Sequence, residues 1–379
     1  MKVRLGDYIQ EYSVKNKDDE NISVYSVTNT KGFCKDYFGK EVASKDKTTY
    51  KIVPYGYFAY NPSRINVGSV DWQRKEKKVI VSPLYNVFSV SPNLERQYLY
   101  YYLKSDFVLQ RIKAVATGSV RDNLKLSMLY EFPIELPKLE NQRKIVKILD
   151  KVSDVVEKKE QELEQLDTFV KSRFAEMFGD IGTGIFNFGT CKLGDVARVG
   201  SSHRVFTTEF VESGIPFYRG TEIGELANGQ KPSEPYCISE EHYERLANDD
   251  TKPLIGDLLM PSICNKGQVW MVDTEEPFYY KDGRVLCISP DRRVFNSKFL
   301  QYFMREKTLV EYPKMGSGST FAEFKIFLLK NMDVLIPPRE IQEQFAAFVH
   351  QVDKSKSKIQ KSLEETQLLF DSLMQKYFG

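Results

Sequence analysis

Three segments of the sequence contain residue types that occur at catalytic sites. Asn61-Pro62-Ser63-Arg64 begins like the Asn-Pro-Pro-Tyr loop of adenine methyltransferases, but it lacks the second proline and the aromatic residue that stacks on a flipped base. The glycine-rich run at 316–320 does not open a nucleotide-binding unit that joins a strand to a helix. Pro290-Asp291 with Glu323-Phe324-Lys325 could mimic the metal site of a nuclease, although the matching segments of the first half carry asparagine in place of both acids. We therefore expect no catalytic activity from this chain.

Composition narrows the class of protein further. The 379 residues are 41% hydrophobic and 13% aromatic, which is enough for two or three domains with apolar cores. No GxxxxGK[ST] motif for ATP is present, and the three histidines lack the spacing of metal ligands. The five cysteines are scattered, so we expect reduced thiols in a cytoplasmic protein. The sequence starts without an apolar signal region and contains no run of about 18 apolar residues, so we expect neither a signal peptide nor a membrane span.

One long stretch of the sequence occurs twice, at 136–179 and at 336–379, with an offset of 200 residues and no gap. Apolar residues at steps of three and four predict two amphipathic helices of about 40 residues, each ~60 Å long. Their length favours a two-helix coiled coil, and one helix packed on each domain is the alternative. The predicted seam, which Lys159 and Arg173 interrupt, consists of Ile145, Ile148, Val152, Val155, Leu163, Leu166, Val170 and Met177 in the first copy, and of Phe345, Phe348, Val352, Ile359, Leu363, Phe370, Leu373 and Tyr377 in the second.

The parts that precede these helices also repeat each other. Arg4-Leu5-Gly6-Asp7 returns as Lys192-Leu193-Gly194-Asp195, and Pro62-Ser63-x-x-Asn66-x-Gly68 returns as Pro261-Ser262-x-x-Asn265-x-Gly267. Their charges differ, because lysine and arginine exceed the acids by six in residues 1–136 and fall short by three in residues 181–336.

The connections between these parts limit how they can be arranged. The second globular part begins about ten residues after the first helix ends, and such a linker spans at most ~35 Å. That part must therefore touch the end of one helix and the start of the other, which favours antiparallel helices. We predict an α+β fold of two similar domains, at 1–136 and 181–336, joined by long antiparallel helices at 137–180 and 337–379.

This organisation resembles the specificity (S) subunit of type I restriction–modification systems. The resemblance covers essentially the whole chain and rests on the order and duplication of short motifs. Those motifs are Leu5-Gly6-Asp7 and Leu193-Gly194-Asp195, the segments 60–68 and 117–121, and the Pro-x-x-Glu-x-Gln helix starts at 137–142 and 337–342. The second domain keeps only part of the 60–68 pattern, in residues 260–267.

The resemblance implies a non-catalytic subunit whose two target-recognition domains read an asymmetric, two-part site in double-stranded DNA. It also implies two methyltransferase subunits and restriction subunits as partners. S-adenosylmethionine and ATP would be bound by those partners, and this chain would hold no cofactor or metal. A coiled-coil scaffold that binds proteins but not DNA is the alternative.

Candidate DNA contacts follow from the residue types that bind phosphates and those that read base edges. Phosphates are neutralised by lysine and arginine, and base edges are read by arginine, lysine, asparagine, glutamine, serine or threonine. In the first domain we expect contacts from two turn-rich segments and one basic cluster. The first segment holds Arg64, Asn66 and Ser69, the second holds Thr117, Ser119 and Arg121, and the cluster holds Arg74, Lys75 and Lys78. In the second domain the candidates are Arg219, Asn265, Lys266, Ser317, Ser319 and Thr320.

A purely structural interpretation of some of these residues stays open. Asn66, Asn265, Gly68 and Gly267 are typical of turns whose backbone is left-handed. The basic cluster at 74–78 is typical of a solvated hairpin tip. The acidic segment 234–250 is unsuited to a polyanion, and we expect it to face away from DNA.

Overall fold

The structure is a computed structural model, and it describes residues 2–35, 46–116, 123–315 and 322–379. Its contacts divide the chain into two compact units. Unit 1 consists of Met1–Glu162 with Ile359–Gly379, and unit 2 consists of Leu163–Lys358. Each unit therefore combines one globular part with segments of both long helices.

Unit 1 is built from short strands followed by helices. The strands are β1 (Lys2–Arg4), β2 (Ile9–Glu11), β3 (Ser26–Thr28), β4 (Gly32–Cys34), β5 (Lys51–Pro54), β6 (Phe58–Tyr60), β7 (Val70–Trp72), β8 (Lys78–Val81), β9 (Asn86–Val90) and β10 (Pro133–Glu135). The helices are α1 (Arg96–Lys104), α2 (Asp106–Ala116), α3 (Leu126–Tyr130) and the first part of the long helix α4 (Leu139–Phe178).

The central sheet of unit 1 has the order β2-β9-β6-β7, and all of its neighbours are antiparallel. Side chains alternate between its faces, as the pleat requires. Phe58 and Tyr60 pack into a core with residues of α1, α2 and α4, whereas Ala59 packs into a second core with residues of β5 and β8. The smaller pairs β1–β10, β3–β4 and β5–β8 complete the unit.

Unit 2 repeats this plan with additions. Its strands are β11 (Gly179–Asp180), β12 (Ile185–Phe186), β13 (Thr190–Lys192), β14 (Ala197–Gly200), β15 (Ile215–Tyr218), β16 (Tyr236–Ile238), β17 (Leu258–Pro261), β18 (Trp270–Met271), β19 (Tyr279–Tyr280), β20 (Val285–Pro290) and β21 (Asp333–Leu335). Its helices are α5 (Leu193–Val196), α6 (Gly220–Ala227), α7 (Glu240–Leu246), α8 (Ser297–Glu311), α9 (Ile326–Lys330) and the first part of the long helix α10 (Arg339–Phe378).

The central sheet of unit 2 has the order β14-β20-β17-β18, which matches the strand order of unit 1. Leu258 and Met260 pack into the core that contains Phe299 and Phe303 of α8, as Phe58 and Tyr60 pack on α1 in unit 1. A three-stranded sheet, β16-β15-β19, is added at 215–280. The fold is therefore α+β with an internal duplication, as the sequence predicts.

The glycines of the two Leu-Gly-Asp motifs allow their backbones to approach the end of α3 or α9 closely. A Cβ atom on Gly6 would lie 2.7 Å from the Cβ of Tyr130, at the end of α3. A Cβ on Gly194 would lie 3.1 Å from the Cβ of Lys330, at the end of α9. Both distances are shorter than ordinary contact, so the motif is explained by packing.

The glutamine of each Pro-x-x-Glu-x-Gln motif fixes the start of a long helix. Gln142 is fully buried, and its side chain accepts a hydrogen bond from Glu95 N at 2.8 Å and donates to the carbonyl oxygens of Asn93 and Pro137 at 3.0 and 2.9 Å. Gln342 makes the same three bonds in unit 2, with the main chain of residues 296, 294 and 337. Each glutamine therefore joins the start of a long helix to the segment that follows the last strand of the central sheet, β9 in unit 1 and β20 in unit 2.

Segments of α4 and α10 run antiparallel in each unit. In unit 1, Lys159 contacts Thr366 across the seam, and in unit 2, Asp167 pairs with Lys356 at 2.7 Å.

The predicted phase of the first seam is wrong at two positions. Ile148 and Val155 are 41% and 40% exposed, whereas Leu149 is fully buried. The seam instead follows a regular alternation of four and three residues from Ile145 onward, as in a heptad repeat.

Candidate nucleic-acid interface

Three segments of unit 1 meet at one end of its central sheet. Tyr60 at the end of β6 is paired with Asn86 at the start of β9, so the residues after Tyr60 lie beside the residues before Asn86. The third segment joins them through Leu124, whose N–H donates to the carbonyl of Pro62 at 3.1 Å and whose carbonyl accepts from Tyr60 Oη at 3.0 Å. We call the segments 61–69, 82–85 and 123–125 the loop edge of unit 1.

The first of these segments is a turn held by its own side chains. Asn61 Oδ1 accepts hydrogen bonds from Ser63 N at 3.1 Å and from Ser63 Oγ at 2.9 Å. A short 3-10 helix, Ile65–Val67, follows and ends at Gly68 with a φ of 84°. Only glycine adopts this left-handed conformation without strain, so the structural interpretation is confirmed for Gly68. The turn leaves Arg64 exposed on the loop edge.

The predicted contacts of this segment differ in how far they are exposed to solvent. Arg64 is exposed and makes no side-chain hydrogen bond or ion pair within the described ranges, and Asn66 is half-buried. Ser69 is 2% exposed, so its hydroxyl does not reach the surface, and we no longer count it among the candidate contacts. The predicted contacts Thr117, Ser119 and Arg121 lie outside the described residues.

The basic cluster at 74–78 lies away from the loop edge. The carbonyl of Gln73 accepts from Gly56 N at 2.7 Å, and Gly56 precedes β6, so the cluster sits at the opposite end of that strand. The interpretation as a hairpin tip is also wrong, because β7 and β8 on either side of the cluster belong to different sheets. The cluster therefore connects two sheets.

Two of the three predicted cations in this cluster have acidic partners. Arg74 forms an ion pair of 2.5 Å with the buried Asp71, and its guanidinium carbon lies 4.4 Å from the centre of the Trp72 ring. Lys78 pairs with Glu20, whereas Lys75 is exposed and unpaired among the described residues. Only Lys75 of the three is thus free to meet a phosphate without breaking an internal pair.

Unit 2 has an equivalent loop edge. Pro261 at the end of β17 is paired with Val285 at the start of β20. Ser262 N donates to the carbonyl of Arg284 at 2.8 Å, and the carbonyl of Ser262 accepts from Phe324 N at 2.7 Å. The loop edge of unit 2 therefore consists of segments 262–268, 281–284 and 322–325.

Two of the predicted contacts are exposed on this edge. Asn265 and Lys266 precede Gly267, which has a φ of 66°. Gln268 Oε1 accepts from Lys266 N at 3.0 Å and so fixes the turn from within. Neither Asn66 nor Asn265 has a positive φ, so the left-handed interpretation holds only for the two glycines. Ser317, Ser319 and Thr320 lie outside the described residues.

Arg219 lies beside this edge, but its guanidinium is engaged. Tyr218 is paired with Tyr280, which places Arg219 next to Lys281. Arg219 forms an ion pair of 2.6 Å with Glu222, and its guanidinium carbon lies 4.4 Å from the centre of the Tyr236 ring. Burial alone would raise the pKa of Glu222, but the hydrogen bonds from Arg219 outweigh it and lower that pKa. The pair therefore stays ionised.

Sequence reasoning missed the segments between β8 and β9 and between β19 and β20. They contribute Leu84 to the first loop edge, and Lys281 and Arg284 to the second. No motif marks these residues, because only the strand register brings them to the edge.

Charge on the second loop edge is more positive than the composition of unit 2 suggests. The cations on or beside the edge are Arg219, Lys266, Lys281, Arg284 and Lys325, and the acids are Glu222, Asp282 and Glu323. The acidic helix α7 follows β16, whose Ile238 pairs with Ile215 at the far end of β15 from Arg219. Helix α7 therefore lies away from Arg219, whereas Tyr236 of the same acidic segment lies beside it, and the expectation that the segment faces away from DNA stays a prediction.

The described ranges contain no group of three or more His, Cys, Asp or Glu side chains placed to hold a metal ion. None of their helices combines the length and the apolar character that crossing a membrane requires.

Comparison with known proteins identifies the family. A family model described as the type I restriction modification DNA specificity domain matches residues 3–168 and again residues 187–366. A type I restriction enzyme specificity subunit of Haemophilus influenzae, S.HindORF215P, is 25% identical over 283 residues, which is 73% of this chain and 69% of that protein. The MjaIX specificity subunit of Methanocaldococcus jannaschii is 24% identical over 307 residues, which is 74% of this chain and 67% of that protein.

Solved structures agree on the fold. The S subunit of a type I system from M. genitalium matches with a TM-score of 0.57 at 14% identity, over 100% of this chain and 96% of that chain. A chain from a structure on complex assembly of a type I R-M system matches with a TM-score of 0.57 at 18% identity, over 100% of this chain and 97% of that chain. With the specificity domain present twice and covering most of its length, the chain belongs to the non-catalytic specificity subunits of type I restriction–modification systems.

Proposed function

We propose that this chain reads a two-part, asymmetric site in double-stranded DNA, one part with each loop edge. The observation that carries the proposal is the pair of loop edges, which share one backbone arrangement and differ in their side chains. The exposed cation of the first segment is Arg64 in unit 1 and Lys266 in unit 2, at different positions of the turn, and the segment before β9 or β20 carries Leu84 or Arg284. Because base identity is read by side chains at groove edges, two such surfaces select two different sequences.

The proposed partners are two methyltransferase subunits and, in the full complex, restriction subunits. Those partners would bind S-adenosylmethionine and ATP, and the complex would act in the cytoplasm. Exposed apolar side chains on the long helices support docking of protein there. Ile148 and Val155 of unit 1 lie next to the exposed start of α4 at 140–147, and unit 2 exposes Phe169 to 54% and has a similar helix start at 340–344.

Methylation mapping with a band-shift assay tests the DNA-binding proposal. The chain is expressed with a methyltransferase subunit, and modified sites are located by sequencing the host DNA. Duplexes carrying the mapped site, or the site with either half scrambled, are then titrated with the complex. We expect both halves to be required, with affinity that falls steeply with salt. A complex that assembles but shifts no duplex would identify a protein-binding scaffold.

Native mass spectrometry tests the stoichiometry. We expect two methyltransferase subunits for each chain at saturation. Replacing Ile148 and Val155 by glutamate should remove one of them, because two charges would be buried in that docking surface. The matched control is Glu157→Lys, a charge change at an exposed position that lies about half a turn around the helix from Ile148 and Val155 and leaves the apolar residues in place. A single methyltransferase on the unaltered chain would contradict the proposal.

A further inference from the structure

The turn between β8 and β9 presents Leu84 to solvent on the loop edge of unit 1, where Leu84 is more exposed than Val67, the other exposed apolar residue of the edge. Residues 82–85 form a turn in which Tyr85 N donates to the carbonyl of Ser82 at 3.1 Å, with Pro83 at the second position. Lys51 Nζ donates to the carbonyl of Tyr85 at 2.6 Å and fixes the end of the turn. Leu84 lies between these anchored residues and is 79% exposed.

The strand register makes Arg284 the equivalent of Leu84. In unit 1, Asn86 pairs with Tyr60, and in unit 2, Leu286 pairs with Met260. Leu84 and Arg284 each lie two residues before the corresponding strand residue. Arg284 is also exposed, and its guanidinium forms an ion pair of 2.7 Å with Glu323 that is open to solvent.

Exposure of one leucine would mean little by itself, because single apolar side chains are common on protein surfaces. Three observations distinguish Leu84. It lies on the loop edge beside the turn that carries Arg64, its turn is closed by a hydrogen bond and held by Lys51, and the same position in the other unit holds an exposed cation. An exposed leucine adds little to folding, so its placement is better explained by a contact with something that binds the edge.

We infer that positions 84 and 284 are equivalent base-reading positions in the two halves of the DNA site. Leu84 makes an apolar contact with a base of the first half-site, and Arg284 donates hydrogen bonds to a base edge of the second. Apolar side chains contact the methyl group of thymine in the major groove or enter between base pairs. Arginine donates two hydrogen bonds to guanine O6 and N7. This inference rests on the proposed function.

The test uses the full chain in complex with its methyltransferase subunit. Leu84→Ser, Arg284→Leu and the unaltered chain are compared by methylation mapping and by titration of duplexes that carry the mapped site. We expect Leu84→Ser to weaken binding about tenfold and to relax one base preference in the first half only. Arg284→Leu should do the same in the second half only.

Modified duplexes distinguish the two apolar contacts. Replacing thymine by deoxyuridine in the first half removes the methyl group. We expect this change to weaken binding of the unaltered complex as much as Leu84→Ser does, and not to weaken binding of the Leu84→Ser variant any further. If Leu84 enters between base pairs instead, 2-aminopurine at that step should brighten when the unaltered complex binds and should not brighten with the Leu84→Ser variant. Either result supports the contact, and the absence of both would contradict it.

Matched controls separate this inference from other effects. Leu254→Ser changes another exposed leucine, which precedes β17 at the end of the strand away from the loop edge, and should leave both half-sites unchanged. Arg293→Leu changes another exposed, ion-paired arginine, which follows β20 at the end of the strand away from the loop edge, and should preserve the second base preference. If the unaltered complex reads two half-sites and Leu84→Ser and Arg284→Leu read them equally well, the inference is wrong and the proposed function stands. If the unaltered complex reads no site, the proposed function itself fails.

Discussion

Lys159 on α4 donates hydrogen bonds to the carbonyl oxygen of Ser362 at 2.9 Å and to Thr366 Oγ1 at 3.0 Å, both on α10. A third bond reaches Ser362 Oγ. The residue that interrupts the apolar seam in the sequence is therefore a cation with its hydrogen bonds satisfied. All of these acceptors are neutral, so no carboxylate among them offsets the cost of partly burying the charge.

An apolar pair should stabilise this part of the seam. Two hundred residues away in the sequence, the positions of Lys159 and Thr366 are held by Ile359 and Leu166. We expect the double variant Lys159→Ile with Thr366→Leu to raise the free energy of unfolding by about 1–2 kcal/mol, because it replaces a desolvated cation by packed apolar surface. Denaturant titration measures the change. The exposed pair Lys158→Ile with Glu365→Leu is the control and should give no gain; a double variant less stable than the unaltered chain would contradict this account.

The two helix-start glutamines should be equally important. Gln142→Leu and Gln342→Leu each remove three hydrogen bonds and leave buried main-chain groups unpaired. We expect each variant to lose about 3 kcal/mol of unfolding free energy. Asn141→Leu, an exposed change at the neighbouring position, should cost little. Losses below about 1 kcal/mol for both glutamines would show that water replaces their bonds.

Substitution of three glycines by alanine should be penalised for different reasons. Gly6→Ala would place a Cβ 2.7 Å from Tyr130 Cβ and should cost about 2–3 kcal/mol, whereas Gly194→Ala meets its nearest atom at 3.1 Å and should cost about 1 kcal/mol. Gly68 has open space around it, so only its left-handed backbone should penalise alanine, by about 1 kcal/mol. Asparagine tolerates that conformation, so Gly68→Asn should recover part of the loss while Gly6→Asn should not. Thermal unfolding of the variants measures these costs, and equal costs at all three sites would contradict the assignment.

The salt dependence of DNA binding should distinguish the loop edge from the basic cluster. Arg64 and Lys75 are both exposed and unpaired among the described residues, but they lie at opposite ends of β6. We expect Arg64→Ala to lower the slope of log affinity against log salt by about one, as the loss of one phosphate contact does, and Lys75→Ala to leave it unchanged. Titration of the mapped site at several salt concentrations measures both. The reverse result would move the DNA to the end of unit 1 where the cluster lies.

The sequence determined the family and the plan of the fold. A 200-residue offset without gaps requires two similar halves, and the motif order identifies them as specificity domains. The motif residues were recognisable because each role needs one residue type: Gly6 lacks a Cβ that would meet Tyr130, and the amide side chain of Gln142 bridges three main-chain groups near a helix start. Such roles depend on residue type, so they leave a pattern in the sequence.

Only the tertiary structure decided which polar and apolar side chains share a surface. The pairing of Tyr60 with Asn86 brings Leu84 beside the Arg64 turn, and no spacing in the sequence encodes that register. The ion pair with Asp71 engages Arg74, which sequence reasoning treats as a free cation. The seam passes through Leu149 and leaves Ile148 exposed, because a helix with apolar residues at both positions can bury either one and the partner helix makes the choice. The strand register and the seam depend on residues far apart in the chain. Arg74 and Asp71 are only three residues apart, but their pairing depends on the fold around them, so a linear pattern contains none of these contacts.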